Sequence, residues 1–367
     1  PDSSPPLKMK TLKKALTATL LGASLIPLSA AAAPAIPREV GDRLVDISKA
    51  IDYLDKTGNL VRVKSEVDPN LELAGIAKQY EGKKAVLFEK VKGSAYPVFI
   101  GLVWNRETIG GLFDMPKEKV PFAIASAIGA WKNDKNALPS PLREKGPANE
   151  VIQTQGFDLN ELPVPVHALK DGGRYFDSSV VVVNDPETGK PNISIHRLMV
   201  TGKDRMTFLI DPGRHLGAYL EQMEKQGKPL PVTINNGVSL APWLVSAIPS
   251  QGPGKATIAN HLVGRPIEYL KAQTVDVPAF ADAQFVIEAE ILPHVREPEG
   301  PFAEVTGYYG ARDNRWVMQV KAITHRKNPV FHTLLSGQEV WNAVGLTAAG
   351  VGAFFAFRLF KTVQLFY

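Results

Sequence analysis

The sequence predicts an α+β protein whose largest part is a barrel-like or split β-sheet. Its 367 residues, 44% of them hydrophobic and 22% charged, are enough for two or three domains with a substantial core. From about residue 166 onward, β-branched runs outnumber segments with helical periodicity. Neither G-x-G-x-x-G nor G-x-x-x-x-G-K-[ST] occurs, so the sequence supports neither a dinucleotide-binding fold nor a P-loop.

Residues 1–37 have the pattern of a secretory leader. A basic start at 9–14 precedes an apolar segment at 15–28 and small residues at 29–33. We therefore predict a signal-like leader, with a disordered alanine-rich arm as the alternative. No later segment has the roughly 18 apolar residues that cross a bilayer, so we expect no membrane partner.

Residues 38–118 form the predicted N-terminal α/β segment. Four apolar residues at helical spacing predict one helix that ends before Gly58: Leu44, Ile47, Ile51 and Leu54. Three apolar runs predict strands at 60–63, 85–88 and 97–100. Residues 133–165 are rich in proline, asparagine and lysine, and we interpret them as a connector.

Residues 119–330 form the predicted β-rich domain. One helix is predicted over 215–225. The predicted strands share short runs of apolar and β-branched residues, at 179–183, 192–200, 206–210, 231–234, 285–291 and 316–323. Residues 331–367 are predicted to open a further helix at Gln338. They end in an apolar run with nothing to pack on, so the sequence looks like one that stops inside a truncated C-terminal domain.

Three carboxylates surround a Gly-Pro turn at 297–304. The turn fixes the backbone between Glu299 and Glu304, so these two acids are held in place. A carboxylate paired with an arginine stays ionised, whereas one in a drier setting can carry a proton near neutral pH. Arg197, about a hundred residues earlier, is the candidate partner. Such a site could hold a substrate carboxylate and replace it with hydrogen; the alternative is a solvated acidic turn.

Asn192, His215 and Glu268 supply an amide, an imidazole and a carboxylate. With two phosphate oxygens they could surround a hard divalent ion such as Mn²⁺ or Mg²⁺, although their spacing alone does not show this. Taken singly, they fit a turn amide, a helix start and a surface charge. Arg174 could either meet an anion or pair with Asp171.

Composition and motifs exclude several classes of function. The formal net charge of +5 comes from scattered basic residues, which suits an anionic ligand and gives no nucleic-acid footprint. The absence of cysteine excludes disulfides, thiolate zinc sites, Fe–S clusters and a cysteine nucleophile. No G-x-S-x-G elbow is present, which argues against an α/β-hydrolase.

Four segments together resemble the UbiD family of reversible decarboxylases, which use prenylated FMN. These segments are 192–197 (Asn-Ile-Ser-Ile-His-Arg), 214–215 (Arg-His), 267–271 (Ile-Glu-Tyr-Leu-Lys) and 299–304 (Glu-Gly-Pro-Phe-Ala-Glu). The resemblance runs from about residue 42 to about residue 350. It implies a split-barrel flavin-binding domain with an N-terminal α/β segment, followed by a linking helix and the start of a C-terminal domain.

The resemblance also implies roles for individual residues. Arg197, Glu299 and Glu304 match the family's catalytic network, in which Glu304 would donate the proton and Glu299 would hold the arginine. The implied contacts of the prenylated flavin are Ile195, His196, Arg197, Arg214, His215 and Glu268. The implied ligands of Mn²⁺ or Mg²⁺, which would tie down the cofactor phosphate, are Asn192, His215 and Glu268; K⁺ is a further candidate ion.

The implied function is non-oxidative, reversible decarboxylation of an aromatic, heteroaromatic or α,β-unsaturated carboxylic acid. The family context adds a prenyl-flavin synthase as cofactor supplier, a homo-oligomer at full length and a cytoplasmic location. The leader would instead favour the periplasm or secretion. Two other functions stay open: a catalytically inactive homologue that binds flavin or an aromatic acid, and a metal-dependent hydrolase that uses His215 and Glu268.

Overall fold

The computed structural model describes residues 36–133, 138–210, 214–248, 254–304 and 306–337. The leader predicted at 1–37 lies almost entirely outside these ranges, as does the helix predicted from Gln338. The described helices are α1 (Arg38–Val45), α2 (Ile47–Lys56), α3 (Glu72–Tyr80), α4 (Arg106–Phe113), α5 (Val120–Asn133), α6 (His215–Lys225), α7 (Leu240–Ala247) and α8 (Thr257–Val263). None of these described helices has both the length and the apolar character needed to cross a membrane.

The described strands alternate with these helices at first and then dominate the chain. They are β1 (Leu60–Val67), β2 (Ala85–Val91), β3 (Val98–Ile100), β4 (Leu142–Arg143), β5 (Val151–Gln153), β6 (Tyr175–Phe176), β7 (Val180–Asn184), β8 (Pro191–Ile195), β9 (Leu198–Val200), β10 (Arg205–Phe208), β11 (Leu230–Asn236), β12 (Tyr269–Leu270), β13 (Ala279–Phe280), β14 (Phe285–Glu299), β15 (Phe302–Ala303), β16 (Tyr309–Gly310), β17 (Asp313–His325) and β18 (Phe331–Thr333). The mixed α+β class is confirmed.

The N-terminal part is built on a four-stranded sheet in the order β1-β2-β3-β18. The three strands predicted there are confirmed, but the single predicted helix is wrong because α1 and α2 are separate. Asp46 breaks the pattern: its backbone is extended (φ −97°, ψ 115°), and its carboxylate accepts a hydrogen bond from the Ser48 N–H and so caps α2. It also forms an isolated bridge to Val238.

A larger sheet carries the β-rich part, in the order β6-β9-β10-β17-β14-β11-β7-β8, with β5 added beside β17. Strand β7 shows why this sheet is buried on both faces. Val180 and Val182 belong to one hydrophobic core, and Val181 and Val183 to another. Because successive side chains of a strand point to opposite faces, four consecutive valines fit a strand covered on both sides.

The strand predicted over 192–200 is wrong in one respect: it is two strands, β8 and β9, separated by His196 and Arg197. These strands follow each other in the chain but lie near opposite ends of the sheet order. Two linking residues span at most about 11 Å between Ile195 and Leu198, since adjacent Cα atoms are about 3.8 Å apart. The sheet therefore curls until its two ends meet, as expected for a barrel-like fold, and Arg197 lies at the closure.

Candidate active site

The three predicted catalytic residues come from separate elements that meet at this closure. Arg197 lies in the link between β8 and β9, and Glu299 is the last residue of the long strand β14. Glu304 directly follows β15, which pairs with β16 so that Phe302 lies opposite Gly310. The Glu304 N–H donates to the Tyr308 carbonyl at 2.9 Å, which holds this residue at the hairpin.

Arg197 is bound by both acids. Its Nε and Nη2 donate to the two oxygens of Glu299 at 2.9 and 3.0 Å, and its Nη1 donates to Oε1 of Glu304 at 2.7 Å. Burial lowers the pKa of Arg197, but hydrogen bonding and attraction to Glu299 more than offset this, so the pKa lies above its ordinary value. The guanidinium is therefore a fixed positive charge.

The two acids differ in their exposure to solvent. The Glu299 side chain is 0% exposed and has both oxygens occupied by Arg197, whereas the Glu304 side chain is 37% exposed. Oε2 of Glu304 has no hydrogen-bond partner among the described residues. Glu299 is thus suited to orient the arginine, and Glu304 is suited to exchange a proton with a ligand.

A second loop supports the turn that carries these acids. The Asp171 carboxylate accepts hydrogen bonds from the N–H groups of Ala303 and Ala168, at 2.8 and 3.0 Å. The Gly172 N–H donates to the Pro301 carbonyl at 2.7 Å. A Cβ on Gly172 would lie 2.1 Å from the Gly300 carbonyl oxygen, so a glycine is required at this contact. Burial raises the pKa of Asp171.

The environment of the cluster includes residues that sequence reasoning missed. The Tyr175 hydroxyl donates to the Pro301 carbonyl at 3.3 Å, and its ring lies 4.4 Å from that of Phe302. Burial, together with the charge of Glu299, raises the pKa of Tyr175. A Cβ on Gly310 would lie 2.5 Å from Oε1 of Glu304 and 2.9 Å from Nη1 of Arg197. No local motif marks these residues, because their contacts arise from long-range pairing.

The other predicted flavin contacts have a more varied setting. Ile195 ends β8, and the next residue, His196, shares a 2.8 Å hydrogen bond with the Ser194 hydroxyl. Arg214 is the N-cap of α6, and His215 is its first residue. Arg174, which was ambiguous in the sequence, bonds to the side chain of Asn160.

A phosphate-bearing flavin fits the charges of this region. The first N–H groups of a helix lack partners within the helix and attract anions. At the start of α6 the N-cap residue is Arg214, which places a cationic side chain beside these N–H groups. The partly exposed Glu304 offers an acid–base group on the open side of the Arg197 cluster.

Two of the predicted metal ligands, Glu268 and Asn192, make hydrogen bonds within the chain. Glu268 is 45% exposed, and its Oε1 accepts hydrogen bonds from Arg143 at 2.8 and 3.1 Å, so Arg143 engages one of its two carboxylate oxygens. The buried Asn192 accepts the Ile193 N–H at 3.0 Å through its side-chain oxygen. Within the described residues, no group of three His, Cys, Asp or Glu side chains is arranged to hold a metal ion.

Two clefts elsewhere on the described surface have volumes of about 660 and 370 Å³. The first is lined in part by Glu144 and Lys327, and the second in part by Leu142 and Tyr269. Neither is lined by Arg197, Glu299 or Glu304, so cleft volume does not identify this site. Arg197, Glu299 and Glu304 are the candidate site because they combine a fixed guanidinium with two acids of unequal exposure.

Two family models match the chain. The model described as the 3-octaprenyl-4-hydroxybenzoate carboxy-lyase Rift-related domain matches residues 141–339. The model described as the N-terminal domain of the same carboxy-lyase matches residues 51–128. The first match contains the whole cluster formed by Arg197, Glu299 and Glu304.

Several curated proteins have similar sequences. An uncharacterized protein in the cooM 5′ region of Rhodospirillum rubrum is 47% identical over 83% of this chain and 66% of its own length. The anhydromevalonate phosphate decarboxylase of Methanothermobacter thermautotrophicus is 31% identical, covering 77% of this chain and 65% of that protein. The gallate decarboxylase of Lactiplantibacillus plantarum is 28% identical, and the match covers 80% of this chain and 65% of that protein. The chain thus spans about two thirds of the length of these relatives.

Solved structures share the fold. The UbiD-class enzyme HmfF from Pelotomaculum thermopropionicum, in complex with FMN, superposes with a TM-score of 0.79 at 38% identity. The match covers 84% of this chain and 68% of that one. An evolved dimeric form of the same enzyme, in complex with prFMN, gives the same TM-score over 84% of this chain and 71% of that one. The similarity confirms the split-barrel interpretation.

Proposed function

Because this chain belongs to the UbiD family, we propose that it is a non-oxidative, reversible decarboxylase that uses prenylated FMN. The proposed substrate is an aromatic, heteroaromatic or α,β-unsaturated carboxylic acid. The observation that carries the proposal is the arginine held between two acids of unequal exposure. Relatives named as decarboxylases, and solved relatives that bind FMN and prFMN, support the reaction class and the cofactor.

The residues of the cluster divide the work. A guanidinium has five N–H donors, and three of those on Arg197 are engaged by Glu299 and Glu304. The remaining donors can bind and orient the substrate carboxylate. Glu299 keeps the guanidinium in one position. When bound, prenylated FMN would supply the electron sink that no side chain offers.

Glu304 is the proposed proton donor. Loss of CO₂ leaves an electron pair on a carbon atom, and a proton must reach that carbon. Glu304 is connected to Arg197 through Oε1, and Oε2 lacks a partner among the described residues. It can therefore hold a proton on Oε2 and deliver it to the carbon from which CO₂ has left. In the reverse direction the same oxygen would accept the proton.

The proposed flavin contacts rest on the family resemblance and are Ile195, His196, Arg197, Arg214, His215 and Glu268. The first three lie beside the closure, and Arg214 and His215 lie at the start of α6. The Mn²⁺ or Mg²⁺ ion and the K⁺ ion stay predictions, and no step of the proposal requires them. A prenyl-flavin synthase as supplier, a homo-oligomer at full length and a cytoplasmic location complete the proposal.

The test is CO₂ release from a panel of aromatic, heteroaromatic and α,β-unsaturated acids, after co-expression of the chain with a prenyl-flavin synthase. We expect release from at least one acid and a loss of about 100-fold or more in the Glu304→Gln variant. Glu297→Gln is the matched control, since Glu297 lies on β14 two residues before Glu299 and pairs with Arg205 instead of Arg197. A flavin-loaded chain that releases no CO₂ would be the catalytically inactive binding homologue.

A further inference from the structure

The side chain of His167 is buried, and the proposed reaction does not use it. It is 1% exposed, and its Nε2 lies 2.9 Å from Oδ2 of Asp177 and 3.0 Å from Oγ1 of Thr333. Because an ionised carboxylate can only accept, Nε2 carries the hydrogen that it shares with Asp177. Nδ1 is also buried and has no hydrogen-bond partner among the described residues, so the hydrogen bonding of the ring to those residues passes through Nε2.

The Asp177 carboxylate is the centre of this buried contact. It also accepts hydrogen bonds from the Thr333 hydroxyl at 2.9 Å and from the Leu334 N–H at 3.0 Å. Thr333 is 0% exposed and ends β18 in the N-terminal sheet, whereas Asp177 directly follows β6 of the larger sheet. Breaking these hydrogen bonds would leave polar groups unsatisfied away from water. His167 is therefore anchored to both sheets.

The loop that follows His167 carries this anchoring toward Glu304. The first N–H of the loop, on Ala168, donates to Oδ2 of Asp171 at 3.0 Å. The other oxygen of that carboxylate accepts the N–H of Ala303 at 2.8 Å. Ala303 directly precedes Glu304, so one carboxylate joins the start of the loop to the backbone of the proposed proton donor.

The same loop, residues 168–172, contacts the hairpin of β15 and β16 at two more points. The Lys170 N–H donates to the hydroxyl of Tyr309 on β16 at 3.3 Å. The Gly172 N–H donates to the carbonyl of Pro301, directly before β15, at 2.7 Å. The position of the hairpin therefore depends on where the loop lies.

We propose that His167 is a positioning residue that sets the place of Glu304 through Asp171. The inference rests on the proposed decarboxylase function, in which Glu304 donates the proton. A displacement of about 1 Å can slow a reaction by about 100-fold, even when the altered residue is distant. Arg197 keeps its own anchor on β14, since both oxygens of Glu299 bind it. Loss of His167 should thus impair proton delivery more than substrate binding.

The first test compares His167→Gln with His167→Phe in the flavin-loaded chain. Glutamine can offer its own Nε2 donor to Asp177, whereas phenylalanine keeps a ring without a donor. We expect kcat per bound flavin to fall by about 10-fold or more in His167→Phe, with KM within about 3-fold of the parent. His167→Gln should keep kcat within about 3-fold. The solvent deuterium isotope effect on kcat should increase in His167→Phe, because proton delivery becomes slower relative to the other steps.

Thr333→Val is a second probe, which leaves the histidine in place and removes the hydroxyl beside it. Thr233→Val is the matched control, because Thr233 is also 0% exposed, lies on β11 and donates to the Pro278 carbonyl at 2.7 Å. We expect kcat per bound flavin to fall by about 5-fold in Thr333→Val and to stay unchanged in Thr233→Val. Far-UV circular dichroism checks that both variants fold.

Hydrogen exchange tests the anchoring without any measurement of activity. His167→Phe should speed exchange in a peptide spanning 300–310 by about 5-fold or more, because the Ala303 N–H is held less firmly. Exchange over 230–236, on β11, should match the parent. Faster exchange over 300–310 in a chain whose parent releases no CO₂ would support the anchoring and reject the decarboxylase proposal, so the two failures can be told apart.

A double-mutant cycle with Asp171→Asn tests the route. If His167 acts through Asp171, the two substitutions together should lower kcat no further than the larger single effect. Three results would overturn the inference: independent, multiplicative effects on kcat in this cycle, parent-like kinetics in His167→Phe, or unchanged exchange over 300–310 in that variant. Each would leave His167 as a residue of the buried core with no influence on Glu304.

Discussion

Both oxygens of Glu299 bind the guanidinium of Arg197, in two hydrogen bonds of 2.9 and 3.0 Å that are shielded from solvent. The paired geometry fixes the plane of the guanidinium as well as its position. A planar group held in this way keeps its remaining N–H donors, on Nη1 and Nη2, in fixed directions. Substrate orientation in the proposed reaction therefore depends on an acid that is itself sealed from the substrate side.

Glu299→Gln should lower kcat by about 100-fold, because the amide retains the shape of the side chain but removes one of the two acceptors and the charge. The free energy of unfolding should fall by up to about 3 kcal/mol, since a buried guanidinium loses part of its compensation. Decarboxylation rates and urea unfolding measure the two effects. Full activity in this variant would show that Glu304 alone positions Arg197.

Gly310→Ala should lower kcat by at least about 10-fold, with little change in secondary structure. The added methyl group would lie 2.5 Å from the Glu304 carboxylate, so the acid or the arginine must move. Gly129→Ala is the matched control, because a Cβ at Gly129 meets no atom within 4 Å inside α5. That substitution should stabilise the chain by roughly 0.5–1 kcal/mol and leave kcat unchanged. Equal kinetics in the two variants would contradict the observed contact.

Asp171→Asn should loosen the turn that carries Glu304. The carboxylate accepts N–H groups from both Ala303 and Ala168, and a side-chain amide has one acceptor oxygen for the two. A buried donor left unsatisfied costs about 1–3 kcal/mol. We expect a lower melting temperature and a kcat reduced by about 10-fold. Asp158→Asn, which removes the charge of a capping carboxylate, should leave kcat unchanged.

The stability of the fold should fall in mild acid because of His332. Burial lowers the pKa of His332 to about 4, against the opposing attraction of Asp177, whereas the unfolded chain has a histidine pKa near 6.5. Between pH 6.5 and pH 4 the unfolded state binds more protons than the folded state. The contribution of neutral His332 to the free energy of unfolding is therefore lost progressively as the pH falls below about 6.5. The loss approaches about 3 kcal/mol near pH 4.

His332→Leu should remove this component, since neither ring nitrogen of His332 has a hydrogen-bond partner among the described residues. Urea unfolding at pH 7, 5.5 and 4.5 measures the slope in parent and variant. His294→Asn is the control, because His294 is 70% exposed and asparagine tolerates its positive φ of 58°. Parallel slopes in the parent and His332→Leu would exclude His332 as the source.

Much of the fold follows from local patterns. The sequence predicts helix α6 over its full length, because Leu216 and Leu220 recur at helical spacing. Both side chains are buried in the structure. The break between α1 and α2 does not follow from the sequence, because the apolar spacing continues through Asp46. The extended backbone at Asp46 depends on its capping of α2 and on its bridge to Val238. Likewise, the division of β8 from β9 depends on closure of the sheet and not on the residues between them.

Some residues of the candidate site can likewise be predicted from the sequence, and others cannot. Arg197, Glu299 and Glu304 could be singled out because a Gly-Pro turn and family resemblance mark them. Gly310 and Asp171 could not, because their importance comes from contacts with Glu304 and Ala303.

The two-residue link between β8 and β9 has a consequence for how activity is acquired during folding. The strands it joins pair with strands that are close in the chain, β7 for β8 and β6 and β10 for β9. The rest of the sheet is joined through the pairing of β10 with β17, which spans more than a hundred positions. Contacts of that separation form late, because the entropy of closing long loops must first be overcome. A partly folded chain that has formed its helices would therefore not yet hold Arg197 between Glu299 and Glu304. Decarboxylase activity should accordingly appear only when the long-range strand pairing is complete.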